Sequence, residues 1–252
     1  IFGVDMAQKD FLFSRLEDAA ANACQWGKAV YDDFYEATLQ RKIEREIGRY
    51  PEADCLFFGG HEYTERRMLA VFPKGNAPDE FDFPIDCLFI KITGEYSHPD
   101  VLGALLGLGI ERDKLGDIDI IEGGAQVFVA SPLGEFIKNN LQSVSRYEVQ
   151  TQLLGLNEVR VSEPQFQNMS VIIPSMRIDA IIHCVFRLSR SEAAAFVKGE
   201  KVFINGNGVI KPGAGVRIGD VVSVRSKGKF IVEGIAGNTK KGNIKLNVRK
   251  FS

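Results

Sequence analysis

The stretch that decides the fold of the last third of the chain is MRIDAIIHCVFRLSRSEAAAFVKGEKVFINGNG, residues 176–208. Its first apolar residues, within 176–182, are spaced to line one face of a helix. A second helix is predicted to begin at Ser189, because Glu192 three residues later completes a capping-box pattern. The run Val202-Phe203-Ile204 predicts a strand, and the Asn205-Gly206 dipeptide after it favours a tight turn.

The next residues add a second turn and a second strand. Lys211-Pro212-Gly213 is typical of a turn, and Gly219-Asp220 precedes the apolar run Val221-Val222-Ser223-Val224. The segment therefore predicts two small helices packed against a small twisted sheet.

Charge is divided unevenly along the chain. Residues 177–252 hold 15 Lys or Arg against 5 Asp or Glu, a net of +10, while the whole chain has a formal net charge of −2. Residues 1–176 therefore carry 16 basic and 28 acidic side chains, a net of −12. A basic module of this kind is the expected electrostatic footprint of a protein that binds a phosphate backbone.

The basic segment resembles the S4 domain, a small RNA-binding module. The matching positions are Arg177, Asp179, Ser189-Arg190-Ser191, Ala194, Val197, Val202, Ile204-Asn205-Gly206 and Gly219-Asp220-Val221. One departure is that Gly199 lies one place before the usual glycine of the family, whose position is taken here by Glu200. This substitution places a negative charge near the expected RNA face.

The first 75 residues predict an N-terminal α+β domain. Leu12, Leu16, Ala19 and Ala23 lie on one face of a helix, and a second helix is predicted from Phe34 to Ile47. Two strands follow, residues 55–58 and 68–72, joined by a loop that contains His61, Glu62, Tyr63 and Glu65. Acid–base chemistry in this loop is one interpretation, and a polar hairpin connection is the favoured one. The neighbouring Arg66-Arg67 pair is a weaker candidate for an RNA contact.

Residues 76–165 predict a second domain with the element order βαββαβ, which is that of a ferredoxin-like or RNA-recognition-type plait. The strands are expected at 86–93, 118–121, 126–130 and 144–154, and the helices at 99–108 and 133–141, the latter with Ser131 as its N-cap. Phe89 and Phe128 lie on the two central strands, where such a domain stacks RNA bases. Residues 76–176, however, hold 6 basic and 15 acidic side chains. A structural or protein-contact role is therefore favoured for this domain.

The predicted fold class is thus α+β, with an N-terminal domain over 1–75, a plait over 76–165 and an S4 domain over 175–252. The longest apolar run, residues 102–110, contains three glycines and is too short to cross a bilayer. The four cysteines are scattered without a Cys-x-x-Cys pair, which favours buried free thiols in a reducing cytosol over a metal site or disulfides.

A second resemblance covers nearly the whole chain. The run LGALLGLGIERDKLGDI, residues 102–118, together with Gly228-Lys229-Phe230 and residues 238–242, is similar to the YlmH-like family of bacterial S4-domain proteins. Where that family has His-Arg-Asp before this run, the chain has His98-Pro99-Asp100. Any role of that arginine is therefore not transferred.

The resemblance implies a cytoplasmic, non-enzymatic RNA-binding protein of the translation apparatus. It implies the large ribosomal subunit, ribosomal RNA and tRNA as partners, and a part in the rescue of stalled subunits that hold peptidyl-tRNA. An older label of the family is cell-division protein.

The candidate RNA-binding residues lie at the two helix starts and along the basic edges of the S4 segment, where Arg225, Lys227 and Lys229 form a second basic edge. They are Arg177, Arg187, Ser189, Arg190, Ser191, Lys198, Lys201, Asn205, Arg225, Lys227 and Lys229. Asp179 is expected to orient a neighbouring arginine, and Asn205 either fixes its turn or contacts a ribose. Backbone contacts of this kind recognise RNA shape and weaken with salt.

Two alternatives remain open at this point. An RNA-modifying enzyme, or an accessory of one, is a common context for S4 domains. The chain has no Gly-Arg-Leu-Asp-type segment, no glycine-rich cofactor loop and no P-loop, so no catalytic residue, cofactor, metal or small-molecule substrate is predicted. A cell-division scaffold would use the acidic middle domain but leaves the basic segment unexplained.

Overall fold

The computed structural model describes residues 2–161 and 166–251, and the chain splits into two compact units, Ile1–Val161 and Ser162–Ser252. The predicted α+β class is confirmed, since helices pack on three antiparallel sheets in the described residues. The division into domains at 1–75, 76–165 and 175–252 stays a prediction, and residues 162–165 at one of its boundaries lie outside the described part. No helix of the described chain is long and apolar enough to span a membrane.

Unit 1 begins with a helix and a three-stranded sheet. Its elements are α1 (Phe2–Trp26), β1 (Val30–Tyr35), α2 (Ala37–Glu46), β2 (Ala53–Phe58) and β3 (Arg67–Pro73). The sheet has the order β1-β3-β2, and the apolar faces of α1 and α2 pack on it through Leu16, Ala23 and Ile43. The prediction of a helix starting at Phe34 is wrong at that end, because Phe34 belongs to β1 and α2 starts three residues later.

The rest of unit 1 is the plait. Its elements are β4 (Ile85–Ile92), α3 (His98–Gly107), β5 (Leu115–Ile121), β6 (Gly124–Ala130), α4 (Ser131–Asn140), β7 (Ser143–Val144) and β8 (Tyr147–Leu154). The sheet order β5-β6-β4-β8-β7 is the antiparallel order that the βαββαβ pattern produces. Alternate residues of β4 (Leu88, Ile90 and Ile92) face both helices and form the core.

Two local predictions in the plait need correction. The N-cap of α4 is Ala130, and Ser131 is its first residue, whose hydroxyl donates to the Asp86 carboxylate at 2.9 Å. The single last strand expected at 144–154 is divided into two, β7 and β8, which form a hairpin. Ser145 lies in the turn between them and has a φ of 54°.

An aromatic cluster joins the three-stranded sheet of unit 1 to the plait. Phe34, Phe58 and Phe83 pack with Cys87 and Phe128, and all five are at most 9% exposed. Cys87 and Phe128 are cross-strand partners on the side of the plait sheet that faces away from α3 and α4. This side of the plait is therefore partly covered by protein.

Unit 2 consists of β9 (Phe166–Ile173), α5 (Ile178–Val185), α6 (Arg190–Lys198), β10 (Val202–Ile204), β11 (Asn207–Gly208), β12 (Val221–Val224), β13 (Gly228–Asn238) and β14 (Ile244–Phe251). The described strands form one antiparallel sheet with the order β11-β10-β12-β13-β14-β9. The buried side chains of α5 and α6, including Ile181, Val185 and Val197, pack on Val222 and Phe230 of the sheet. The two helices and the small sheet were predicted; the long β13–β14 hairpin and β9 were not.

All four cysteines are free, but only Cys87 is buried, so the expectation of buried thiols is wrong for the other three. Cys24 is exposed, and Cys55 and Cys184 are partly exposed. Burial raises the pKa of the Cys87 thiol to about 12, which keeps that side chain in its unreactive neutral form.

Candidate nucleic-acid interface

The start of α5 holds an arginine in a fixed orientation. Arg177 is the N-cap residue, and its guanidinium donates from Nε to Asp179 Oδ1 at 3.1 Å and from Nη2 to Asp179 Oδ2 at 2.6 Å. The backbone N–H groups of Ile178 and Asp179 donate to the carbonyls of Ala214 and Pro212. The predicted orienting role of Asp179 is thus present, and the loop at 212–214 holds the helix start in place.

The start of α6 has the predicted capping box. Ser189 Oγ accepts from the Glu192 N–H at 3.1 Å, and Glu192 Oε2 accepts from the Ser189 N–H at 2.7 Å. These hydrogen bonds lower the pKa of Glu192. Ser189 Oγ also lies 3.0 Å from Ser191 Oγ, so the Ser189 hydroxyl is largely used inside the protein. The first-turn N–H groups of Arg190 and Ser191, which no helical carbonyl reaches, are the remaining donors for an anion.

The two helix starts meet at one concave site. A cavity of about 350 Å³ is lined by Pro174, Ser175, Arg177, Asp179, Ala180, His183 and Arg190. The structure therefore brings Arg177 and Arg190 to one cavity, as expected of two arginines that contact one RNA backbone. His183, which the sequence analysis did not select, also lines it.

The turn between α5 and α6 presents Arg187. This exposed residue has a φ of 52°, and the Leu188 N–H after it donates to the His183 carbonyl at 3.0 Å. The left-handed conformation of Arg187 ends α5, and the four residues from Phe186 to Ser189 connect it to α6.

A second cluster of cations surrounds the ring of Phe196 on α6. Lys201 Nζ lies 5.7 Å and Lys227 Nζ 5.9 Å from the ring centroid, distances at which a cation is attracted to an aromatic face. Lys198 is exposed in the last turn of the same helix. We call the candidates on or against the two helices the helix-side group: Arg177, Arg187, Ser189, Arg190, Ser191, Lys198, Lys201 and Lys227.

Asn205 has a different position, inside the turn after β10. Its Nδ2 donates to Asp220 Oδ1 at 2.7 Å, and its Oδ1 accepts from the Val221 N–H at 2.9 Å. Asn205 and Gly206 have φ angles of 51° and 78°, as the Asn-Gly pattern predicts. Of the two roles left open for Asn205, the geometry favours fixing the turn.

Arg225 and Lys229 lie apart from the helix-side group. Ser223 is the cross-strand partner of both Lys229 and Phe203. The three side chains therefore lie on the same face of the sheet, the one that points away from α5 and α6. Arg225 lies over Phe203, with its Cζ 5.2 Å from the ring centroid. The predicted basic edge of Arg225, Lys227 and Lys229 is therefore divided between the two sides of the sheet.

The plait does not offer the pair of stacking aromatics that the sequence placed there. Phe128 is fully buried, with its ring 5.3 Å from that of His61. Phe89 is half-buried, and the Arg160 guanidinium lies 5.9 Å from its ring centroid. Only Phe89 of these two is accessible to a base.

The polar loop before β3 is bound to the plait. His61 Nε2 lies 3.2 Å from Asp119 Oδ2, and the Asp117 carboxylate accepts the N–H groups of Glu65 and Arg66. The Arg66 guanidinium donates to the carbonyls of Phe34, Leu115 and Arg112. These bonds use the Arg66 guanidinium inside unit 1, which argues against an RNA contact, and they give the loop a structural role.

Comparison with known proteins agrees with the resemblance drawn from the sequence. Residues 78–158 match the family model described as a putative RNA-binding domain in YlmH. A protein of Bacillus subtilis (strain 168), named ribosome-associated protein quality control protein P2, is 29% identical over 229 residues, which are 87% of this chain and 89% of the relative.

A solved structure is also similar. Cell division protein ylmH from Streptococcus pneumoniae matches with a TM-score of 0.52 and 18% identity, over 60% of this chain and 93% of that one. At this identity the match concerns the fold, and it agrees with the α+β class.

Proposed function

We propose that this chain, a member of the YlmH-like family, binds RNA of the large ribosomal subunit through the helix-side group. The RNA is ribosomal RNA, peptidyl-tRNA or both, and the binding serves the rescue of stalled ribosomes in the cytoplasm. The protein itself catalyses no reaction. The observation that carries the proposal is the single cavity to which two helix starts bring Arg177 and Arg190.

The geometry gives each group of this cavity a task. Arg177, held by Asp179 at 2.6 and 3.1 Å, keeps part of its guanidinium exposed for a phosphate. Arg190 and the first-turn N–H groups of α6 approach the same site, where the positive end of the helix dipole favours an anion. Contacts to phosphates position a protein on RNA without reading its sequence, so recognition rests on RNA shape.

The names of the relatives support the same direction. The Bacillus subtilis relative is named for ribosome association and protein quality control, and the matched family model for RNA binding. That model covers residues 78–158, which supports a second RNA contact in the plait, although the acidic composition of this segment favoured protein contacts. Phe89 under Arg160 is the position where such a contact would stack a base.

The proposal is tested by co-sedimentation with large ribosomal subunits over a salt series. Wild type should bind and be released as salt rises, because phosphate contacts displace counterions. Arg190→Ala should bind more weakly at every salt and lower the slope of log affinity against log salt by about 1. Phe89→Leu, measured in parallel, reports on the plait.

Two outcomes contradict the proposal. If Arg190→Ala binds subunits as wild type does at every salt, the helix-side group is not the contact. That result would favour a scaffold role through protein contacts. If wild type binds free tRNA but no subunits, that result would favour a role beside an RNA-modifying enzyme.

A further inference from the structure

The face of the unit 2 sheet that points away from α5 and α6 carries a row of aromatic and basic side chains. Phe203, Ser223 and Lys229 are cross-strand neighbours on β10, β12 and β13. Phe251 and Phe166 are cross-strand neighbours on β14 and β9. Lys229 Nζ lies 4.3 Å from the centroid of the Phe251 ring, which joins the two halves.

The opposite side of the same strands fixes this orientation. Val222, Val224, Phe230 and Val232 are at most 2% exposed and pack in the core with the helices. Side chains of a strand alternate between its two faces. Their neighbours in sequence, including Ser223 and Lys229, therefore point outward. We call Phe166, Phe203, Ser223, Arg225, Lys229, Arg249 and Phe251 the outer sheet face.

The rings on this face are open to a ligand and are accompanied by cations. Phe166 is 38% exposed, and Phe203 and Phe251 are partly exposed. Arg249 Cζ lies 4.5 Å from the Phe166 ring centroid, and Arg225 Cζ lies 5.2 Å from that of Phe203. Arg249 is also paired with Glu233 at 3.1 Å. The face therefore carries three cationic side chains, Arg225, Lys229 and Arg249, and one carboxylate, that of Glu233.

We propose that the outer sheet face is a binding site for single-stranded RNA, separate from the helix-side group. Unpaired bases stack on aromatic rings and on guanidinium planes, and lysine and arginine hold the phosphates between them. A double helix offers no free base faces to such rings. The row crosses five strands, roughly 19 Å, while one nucleotide occupies roughly 3.4 Å along a stacked strand. Several nucleotides can therefore lie across it.

This site goes beyond the proposed function, because it adds an unpaired segment to the RNA that the protein holds and uses residues outside the helix-side group. Phe166, Phe251 and Arg249 are on strands that the sequence analysis did not predict. The register of β9, β13 and β14 is what places these side chains next to Arg225 and Lys229.

The test uses the full chain and a fluorescently labelled 12-nucleotide oligouridine, followed by anisotropy. Phe203→Leu/Phe251→Leu should weaken binding by about tenfold or more, because each substitution removes an aromatic ring on which a base stacks. Phe81→Leu, at an 81% exposed ring of unit 1, is the matched control and should bind as wild type does. Arg190→Ala should keep most oligouridine affinity while binding large subunits more weakly, which separates this site from the helix-side group.

A second measurement does not depend on any variant. Ultraviolet cross-linking of oligouridine to wild type, followed by peptide mapping, should place adducts on peptides that contain Phe166, Phe203 or Phe251. The proposal is overturned if the double variant binds oligouridine as wild type does, if wild type does not bind it, or if the adducts map elsewhere. The thermal unfolding of each variant is measured as well, so that a loss of binding is distinguished from a loss of fold.

Discussion

A single residue, Glu200, shows how a departure from a family pattern appears in the structure. Glu200 has a φ of 56°, while Gly199 before it has an ordinary φ of −82°. The N–H of Glu200 donates to the Val197 carbonyl and that of Lys201 to the Phe196 carbonyl. This is the Schellman pattern of a helix end, whose left-handed position is usually glycine. The glycine of this chain lies one residue too early to fill it.

Glu200→Gly should therefore stabilise the protein. A residue with a side chain pays about 1–2 kcal/mol for the left-handed conformation, which glycine adopts freely, and the greater entropy of glycine in the unfolded chain offsets part of this gain. We expect the free energy of unfolding in urea to rise by about 1 kcal/mol.

Glu200→Gln is the control for this prediction, because it removes the charge and keeps the backbone strain. It should leave stability close to that of wild type. An increase of equal size in both variants would show that charge, and not the backbone, is the cause.

At the scale of elements, Asp33 on β1 connects parts of unit 1 that are distant in sequence. Its side chain is 6% exposed, and it accepts hydrogen bonds from Arg15 of α1 at 2.8 Å and from Lys114, which directly precedes β5. Burial alone would raise the pKa of Asp33, but the hydrogen bonds and charges of Lys114 and Arg15 outweigh burial and lower it.

Asp33→Asn should cost about 1.5–3 kcal/mol of unfolding free energy at pH 7, the usual range for a hydrogen bond to a charged group. A lowered pKa in the folded state means that the carboxylate contributes stability above its unfolded pKa of about 3.9. That contribution is lost as pH falls through the lower folded pKa. The difference between wild type and variant in urea unfolding should thus be larger at pH 7 than at pH 3.

A difference that is equal at the two pH values would contradict this account of Asp33. Asp54→Asn is a suitable control, because Asp54 is an exposed residue of β2 and has no ion pair of this kind among the described residues. Its Oδ1 accepts the Cys55 N–H at 2.8 Å, and the side-chain oxygen of an asparagine can accept the same bond. It should change stability little at either pH.

The elements also show where sequence patterns suffice. The starts of α5 and α6 were predictable because their signals are local, as the Ser189–Glu192 capping box shows. Strand β1 was missed because its two central residues are Asp32 and Asp33, and the burial of Asp33 depends on partners from distant elements. Strand β13 contains Gly234 and Gly237, next to irregularities in its register, and these obscure the alternation that indicates a strand.

The candidate site was also predictable only where its signals are local in the sequence. Its helix starts follow from the sequence, and the pairing of Arg177 with Asp179 was expected. The separation of Lys227 from Arg225 and Lys229 was not, since it depends on which face of β12 and β13 each side chain takes. The outer sheet face depends on β9 and β14 and was missed with them.

At the scale of the whole molecule, the uneven distribution of charge is the feature that most narrows the class of binding partner. Residues 177–252 have a net charge of +10 and residues 1–176 a net charge of −12. A phosphate-rich partner is attracted to the first and repelled by most of the second. A protein partner without an acidic surface would give no reason for this division.

The most direct test of the central claim is therefore a pair of charge reversals with equal change in net charge. Arg190→Glu/Lys201→Glu alters the helix-side group at both ends of α6. Lys28→Glu/Lys74→Glu alters two exposed residues of unit 1. Each variant is centrifuged with large ribosomal subunits at one moderate salt concentration, and the bound fraction is measured. We predict that the first variant loses most of its binding and that the second binds as wild type does. Equal loss in both variants, or none in either, would contradict the claim that the helix-side group is the RNA contact.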